Sequence, residues 1–257
     1  MTLRIATYNI RKGGRPRHRL ISEVLGQLDA DIVVLQEAVD LWVVAQLSRA
    51  IGGEVALAAP GRSVAVLSRM GPLDAAWGPG VRGPRFAEVR LPELGVRVLG
   101  LHLTAGLSGR GERRRSRELD HVLAAVHRGE RRDDVVIAGD FNAVAPGEVP
   151  AVAQLPRWIR LLLRIDGGIS TRVMERLVAA GFTDAFRRLH ADVPGATIPA
   201  MAPVLRLDYF LLGPDVAPRL RRCEVPTLDP VLLAASDHLP LVLRLAPADG
   251  TECRPKA

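Results

Sequence analysis

The chain has 257 residues, 48% hydrophobic and 25% charged, enough apolar material for one substantial core and too much for an intrinsically disordered chain. Its formal net charge of +7 and isoelectric point near 10.5 favour an anionic partner such as nucleic acid, a phosphorylated metabolite or a lipid headgroup. Nearly all the basic residues are arginine in an Ala-, Gly- and Pro-rich sequence, so genome composition is a competing explanation, and the two cysteines, Cys223 and Cys253, form neither a metal-type spacing nor a disulfide framework.

The chain opens on MTLRIATYNI, an alternating pattern that predicts a strand over 3–9 and lacks the three regions of a signal peptide, so a cytoplasmic protein is expected. RLISEVLGQL (19–28) sets Leu20, Ile21, Val24, Leu25 and Leu28 along one stripe of a helix. Strands are predicted at 31–36, 64–68, 85–91 and 96–103, a helix over SRELDHVLAAVHRG (116–129), and a strand at 135–139. PRWIRLLLRIDGG (156–168) is broken by Arg157, Arg160 and Arg164 and is too short to span a bilayer, so it reads as a surface helix or flap and no transmembrane segment is expected. TRVMERLVAAG (171–181) predicts a helix ending on Gly181, strands follow at 207–212 and 240–245, and the tail from 247 reads as disordered. One domain over 1–246 is expected. Strands outnumber helices, which favours a layered α/β arrangement with mixed sheets over a doubly wound parallel one.

The polar residues at the strand ends carry the functional signal. Asn9 ends IATYN, Glu37 follows DIVVLQ, His102 sits near the end of VLGLHL, and VVIAGDFNA delivers Asp140 and Asn142 where an apolar run leaves the core. The order then reverses: Asp208 begins the strand in RLDYFLL, and Asp237 and His238 directly precede the one in SDHLPLVLRLA. If the last two strands run antiparallel to the earlier ones, all these groups collect at one rim. Glu37, Asp237 and Asn9, with Asp140 as a further candidate, are hard oxygen ligands suited to Mg²⁺ or Mn²⁺, and the absence of clustered His and Cys argues against zinc. Asp208 could fix the tautomer of His238 and favour its protonated form, which could hold a phosphate oxygen. Asp140 could orient or deprotonate a water, and Asn142, two residues on along an extended backbone, could donate to the phosphoryl group. Together these parts suit in-line hydrolysis of a phosphate ester.

TYNI, LQE, LHL, GDFNA, RLDYFLL and SDHLP, in this order across residues 7–240, resemble the endonuclease/exonuclease/phosphatase superfamily with its deoxyribonuclease I-like fold. The resemblance implies a four-layer α/β sandwich, two mixed sheets face to face with helices outside, and a metal-dependent phosphoric ester hydrolase. It implies Glu37 as the principal Mg²⁺ ligand with Asn9 and Asp237 around the metal. Asp140 would act on the nucleophilic water, Asn142 and His102 would contact the scissile phosphate, and Asp208 would orient His238; the identity of the general base stays open.

The chain departs from abasic-site endonucleases of the exonuclease III type. It has QEAVD where those carry Q-E-x-K, GRSVAVLSR (61–69) where they carry G-Y-x-G-V-A, and His102 where a tyrosine is typical. GRSVAVLSR is closer to the G-N-A-x-L-S-R of divergent bacterial members, with Arg62 and Ser63 near the place of the asparagine. A dedicated abasic-site repair role is therefore not expected. The expected activity is hydrolysis of DNA or RNA phosphodiester bonds, with a small phosphorylated metabolite or a phospholipid headgroup as the alternative substrate. RKGGRPRHR (11–19) and GRGERRRSR (109–117) are expected as loops at the same rim, where Arg11, Lys12, Arg15, Arg110 and Arg113 could grip phosphates; a solvated basic surface is the equal alternative. His18, His121, His127 and His190 receive no catalytic role, and Trp42, Trp77 and Trp158 are too scattered for a base-stacking platform.

Overall fold

The computed structural model describes residues 2–78, 86–106, 109–128, 134–148, 153, 160–161 and 170–248. Its strands, in chain order, are β1 (Leu3–Asn9), β2 (Ile32–Gln36), β3 (Glu54–Leu57), β4 (Ala65–Ser68), β5 (Asp74–Trp77), β6 (Ala87–Leu91), β7 (Val96–His102), β8 (Val135–Asp140), β9 (Thr183–Asp184), β10 (Asp208–Leu212), β11 (Leu220–Glu224) and β12 (Leu241–Leu245). The helices are α1 (His18–Leu28), α2 (Leu41–Ala50), α3 (Gly109–Arg128), α4 (Arg172–Ala179) and α5 (Ala185–Leu189). One sheet has the order β11-β12-β1-β2-β4-β3 and the other β5-β6-β7-β8-β10-β9.

Side-chain alternation along the strands divides the apolar residues into three cores. Ile5, Val34, Val66, Val98, Val136, Phe210 and Leu243 pack between the sheets. Ala6, Tyr8, Val33 and Leu35 face the other way, onto Ile21, Val24 and Leu25 of α1 and Val43 and Leu47 of α2. On the second sheet Leu99, Leu101, Ile137 and Tyr209 pack outward onto Leu119 and Val122 of α3 and Val173 and Leu177 of α4. The result is the expected four-layer sandwich of two mixed sheets flanked by helices.

The strand directions settle where the polar ends go. β1 and β2 are parallel and β12 is antiparallel to β1; β7 and β8 are parallel and β10 is antiparallel to β8. Ends of β1, β2, β7 and β8 and beginnings of β10 and β12 therefore meet at one rim. In register, His102 lies beside Asp140 and Asp140 beside Asp208.

Several elements escape the sequence patterns. β3, β9 and β11 end their sheets, as does β5; edge strands are short and bury little, so no apolar run marks them. α2 is begun by Asp40, whose carboxylate accepts the backbone N–H groups of Trp42 and Val43. GRGERRRSR is not a loop: it forms the first turns of α3, seven residues ahead of the expected start. Its buried face is polar, with Glu112 and Arg115 paired at 2.9 Å and the other Glu112 oxygen accepting the Val173 N–H, so no apolar stripe announces it. The expected flap at 156–168 lies outside the described residues except Arg160 and Leu161, as do Trp158, Cys253 and the tail from 249. Among the described residues no helix is long and apolar enough to cross a membrane.

Gly139, one residue before Asp140, has φ 148°, and a Cβ there would stand 2.1 Å from the carbonyl oxygen of Leu101 on β7. Gly139→Ala must force β7 and β8 apart beside His102, and the expected loss of stability is roughly 2–4 kcal/mol. A denaturant midpoint equal to that of the wild type would contradict the close approach.

Candidate active site

Asp140 is the hub of the rim. Its carboxylate is 1% exposed; Oδ2 accepts a hydrogen bond from the Asn9 amide at 3.0 Å, across the two sheets, and Oδ1 accepts the Asn142 N–H at 2.9 Å. The Nε2 atoms of His102 and His238 stand 3.7 and 3.8 Å from Oδ2. These distances exceed hydrogen-bonding range, so one oxygen faces two imidazole rings and is capped by neither. Burial pushes the Asp140 carboxyl above the usual carboxylate range, Asp208 adds to the rise, and His238, His102 and the Asn142 N–H oppose it.

His238 Nδ1 lies 2.8 Å from Asp208 Oδ2, and both groups are buried. Burial alone would lower the imidazole's pKa, but Asp208, with Asp140 and Asp237 beyond it, outweighs burial and pushes it up to about 10. The expected Asp208–His238 pair is thus present. The other Asp208 oxygen, Oδ1, is buried without a hydrogen-bond partner among the described residues.

Glu37 enters from the end of β2 in a left-handed conformation, φ 54°. Its carboxylate accepts from the Asn9 amide at 3.3 Å and from the Lys12 N–H at 2.6 Å, and its carbonyl accepts the Gly13 N–H at 2.9 Å. The 11–14 turn therefore does hang over the site. Non-glycine residues pay a steric penalty at positive φ. Of the five such described residues, Arg11, Lys12, Glu37 and Asn142 belong to this rim. Asn142 corrects the expectation of an extended backbone: at φ 48° it turns back on Asp140, and its side-chain amide donates to the Leu103 carbonyl at 3.1 Å.

Ser63 was legible only as a departure from a motif, yet it joins two of the expected residues. Its Oγ accepts the Glu37 N–H at 3.3 Å and lies 2.5 Å from His102 Nδ1, so the ring's Nε2 is aimed at Asp140. Tyr209, next to Asp208, was likewise not singled out. Its buried hydroxyl accepts the Ala145 N–H at 3.0 Å and lies 2.8 Å from the Arg206 carbonyl and 3.0 Å from that of Ala143, holding the loop after Asn142. Burial pushes this hydroxyl well up, which keeps it a neutral donor. Arg206, buried, pairs with Glu148 and Asp184 behind the same loop. A cavity of about 430 Å³ opens there, lined by Glu148, Arg187 and Arg206 among others, but none of the expected catalytic residues lines it.

The predicted phosphate-gripping residues divide. Arg11 Nε stands 3.3 Å from Asp237 Oδ2, and Arg15 Nε 2.5 Å from Asp40 Oδ2. Arg110 and Arg113 are exposed on the first turns of α3, and Lys12 is exposed above Glu37. Two donor sets could hold a cation. Ligand atoms of Asp140, Asp208 and His238 lie within 4.8 Å of one another, but there the imidazolium already supplies the neutralising charge. Glu37 offers carboxylate oxygen at a strained, half-buried position beside Asn9, the hard-donor chemistry that suits Mg²⁺.

Two mixed sheets with outer helices, converging on an acid, amide and imidazole rim, define a phosphoric ester hydrolase of the deoxyribonuclease I-like fold. The chain belongs to the Endonuclease/Exonuclease/phosphatase family, whose model matches residues 6–238. Its structure is similar to that of an AP endonuclease from Archaeoglobus fulgidus (TM-score 0.74, 22% identity, 95% of this chain and 99% of that one). It is also similar to the Neisseria 3′ phosphatase NExo bound to a product DNA hairpin (0.72, 21%, 95% and 99%) and to a humanized D. rerio TDP2 (0.63, 18%, 95% and 98%). At these identities the likenesses establish the fold. A search of curated protein sequences gives no match.

Because the folded pKa of His238 is raised from 6.5 to about 10, the stability it contributes is fully present below pH 6.5 and is lost as pH rises through about 10. The stability difference between wild type and His238→Gln, from urea titrations, is expected to shrink over that window; in ¹⁵N NMR the ring should stay protonated at pH 8. A ring that titrates below pH 7 would remove the ion pair. Ser63→Ala should lower kcat by roughly 10- to 100-fold, the scale typical of outer-shell positioning groups, with Ser63→Thr recovering most of it. An unchanged kcat would show that His102 is held in place without the serine.

Proposed function

We propose that the protein is a Mg²⁺-dependent phosphodiesterase that hydrolyses DNA or RNA phosphodiester bonds by in-line attack of water. The observation that carries this reading is Asp140 Oδ2, buried, held by the Asn9 amide and faced by the Nε2 atoms of His102 and His238. Glu37, with the Asn9 amide beside it, would hold Mg²⁺, or Mn²⁺ in its place, with Asp237 as a further ligand, and the ion would supply Lewis-acid stabilisation of the charge on the phosphoryl group.

This chain's own groups would supply the rest. Asp140 accepts the proton of the attacking water, and its raised pKa makes it a better base than an exposed carboxylate. His238 is a cation at neutral pH, which suits it to hold a phosphoryl oxygen and argues against its being the base. Asn142 has a second amide hydrogen beyond the one given to Leu103, and His102 presents Nε2 to Asp140; both would donate to the phosphoryl group.

A second reading, a small phosphorylated metabolite or a phospholipid headgroup as substrate, draws on Arg11 and Arg15, whose ion pairs leave fewer free cations for a long polyanion. Salt dependence separates the two, because only a polynucleotide releases many counterions on binding.

The test is hydrolysis of supercoiled DNA, single-stranded DNA, RNA, bis-p-nitrophenyl phosphate and p-nitrophenyl phosphate with Mg²⁺, Mn²⁺ or EDTA. Polynucleotide cleavage abolished by EDTA and lowered about 10²- to 10⁴-fold in Asp140→Asn is the expected outcome. Turnover confined to the small esters would select the second reading. Mn²⁺ binding followed by electron paramagnetic resonance should weaken in Glu37→Gln and persist in Asp208→Asn; the opposite order would move the ion to the Asp140, Asp208 and His238 set.

A further inference from the structure

We propose that Arg62, held over the Trp77 ring, is a subsite for a second phosphoryl group of the substrate, adjacent to the one hydrolysed; this rests on the phosphodiesterase reading above. The guanidinium lies over the Trp77 ring, 5.6 Å from its centroid, and makes no hydrogen bond or ion pair with any described residue. Three arginines at the rim are committed: Arg11 faces Asp237, Arg15 faces Asp40, and Arg17 donates to the Ala235 and Arg11 carbonyls, whereas the Lys12 ammonium, over Glu37, is exposed. Nor does the adjoining sequence hold a hidden counterion, since residues 75–87 contain no aspartate or glutamate.

A cation–π contact attracts a guanidinium without using its N–H donors, which stay available as the fork that matches a phosphate. The platform is rigid: Trp77 ends β5, pairs in register with Ala87, and is half-buried against the core between the sheets. Arg62 is thus held over an ordered platform with no anionic partner among the described residues.

Its place in the chain puts it at the reaction. The next residue, Ser63, touches both the Glu37 N–H and His102 Nδ1. β5 lies two strands from β7, roughly 10 Å across the sheet, so Arg62 sits to the side of His102 and not above Asp140. The scissile phosphate is served by Asn142, His102 and His238; Arg62 reaches a neighbouring anion of the same molecule.

The experiment is calorimetric binding of thymidine 3′,5′-bisphosphate and thymidine 3′-monophosphate to the full chain in EDTA, where neither is turned over. The wild type should bind the bisphosphate at least about tenfold more tightly, the scale of one charge-assisted hydrogen-bonded contact. Arg62→Ala should erase that preference and leave the monophosphate affinity unchanged, and Arg62→Lys, which keeps the charge but loses the fork, should restore only part of it. A preference that survives in Arg62→Ala would overturn the subsite and leave the phosphodiesterase reading standing. Binding of neither ligand by the wild type would overturn both.

Discussion

A carboxylate taken almost wholly out of water is the constraint around which the rim is arranged. Asp140 and Asp208 are 1% and 0% exposed and stand side by side in the sheet register. Two such charges repel and are poorly solvated, so each needs compensation from outside its own strand. Asp208 is compensated by the His238 imidazolium, Asp140 by the Asn9 amide, the Asn142 N–H and the two facing imidazoles. The compensating groups come from four separate segments of the chain. Stability of the charged state and assembly of the site are therefore one requirement.

The two-sheet architecture meets that requirement through strand direction. Each sheet has a parallel pair, β1 with β2 and β7 with β8, flanked by antiparallel partners. Parallel pairs deliver two C-terminal ends to one edge, and antiparallel neighbours deliver N-terminal beginnings to the same edge. The Asn9 hydrogen bond to Asp140 ties the sheets together at that edge. The apolar core between them ends there.

Outside the reacting groups, a layer of buried polar contacts holds the loops. Glu118 accepts the Thr104 N–H at 2.8 Å and also bonds its hydroxyl, while Arg115 donates to the Thr104 and Gly106 carbonyls. This fixes the turn after His102, whose Leu103 carbonyl receives the Asn142 amide. Tyr209 does the same for the loop after Asn142, and Ser63 for His102 and Glu37. Left-handed backbone at Glu37 and Asn142 is the strain these contacts sustain.

The core strands and the polar residues at their ends are legible in the linear chain, because buried runs such as VVIAGD cannot be written without an apolar pattern and an acid at the end of one is conspicuous. So is α1, whose apolar stripe is continuous. Edge strands β3, β5 and β11, the polar-faced start of α3 and the cap of α2 were decided by tertiary contacts, since their residues bury polar groups or one face only. The same holds for the site's finer structure. No local pattern tells that Ser63 meets His102 across 39 residues, that Asn142 turns back on Asp140, or that Arg15 is committed to Asp40 while Arg62 is left to a tryptophan. Those choices depend on which side chains strand pairing brings within hydrogen-bonding distance, and distance is a property of the folded chain alone.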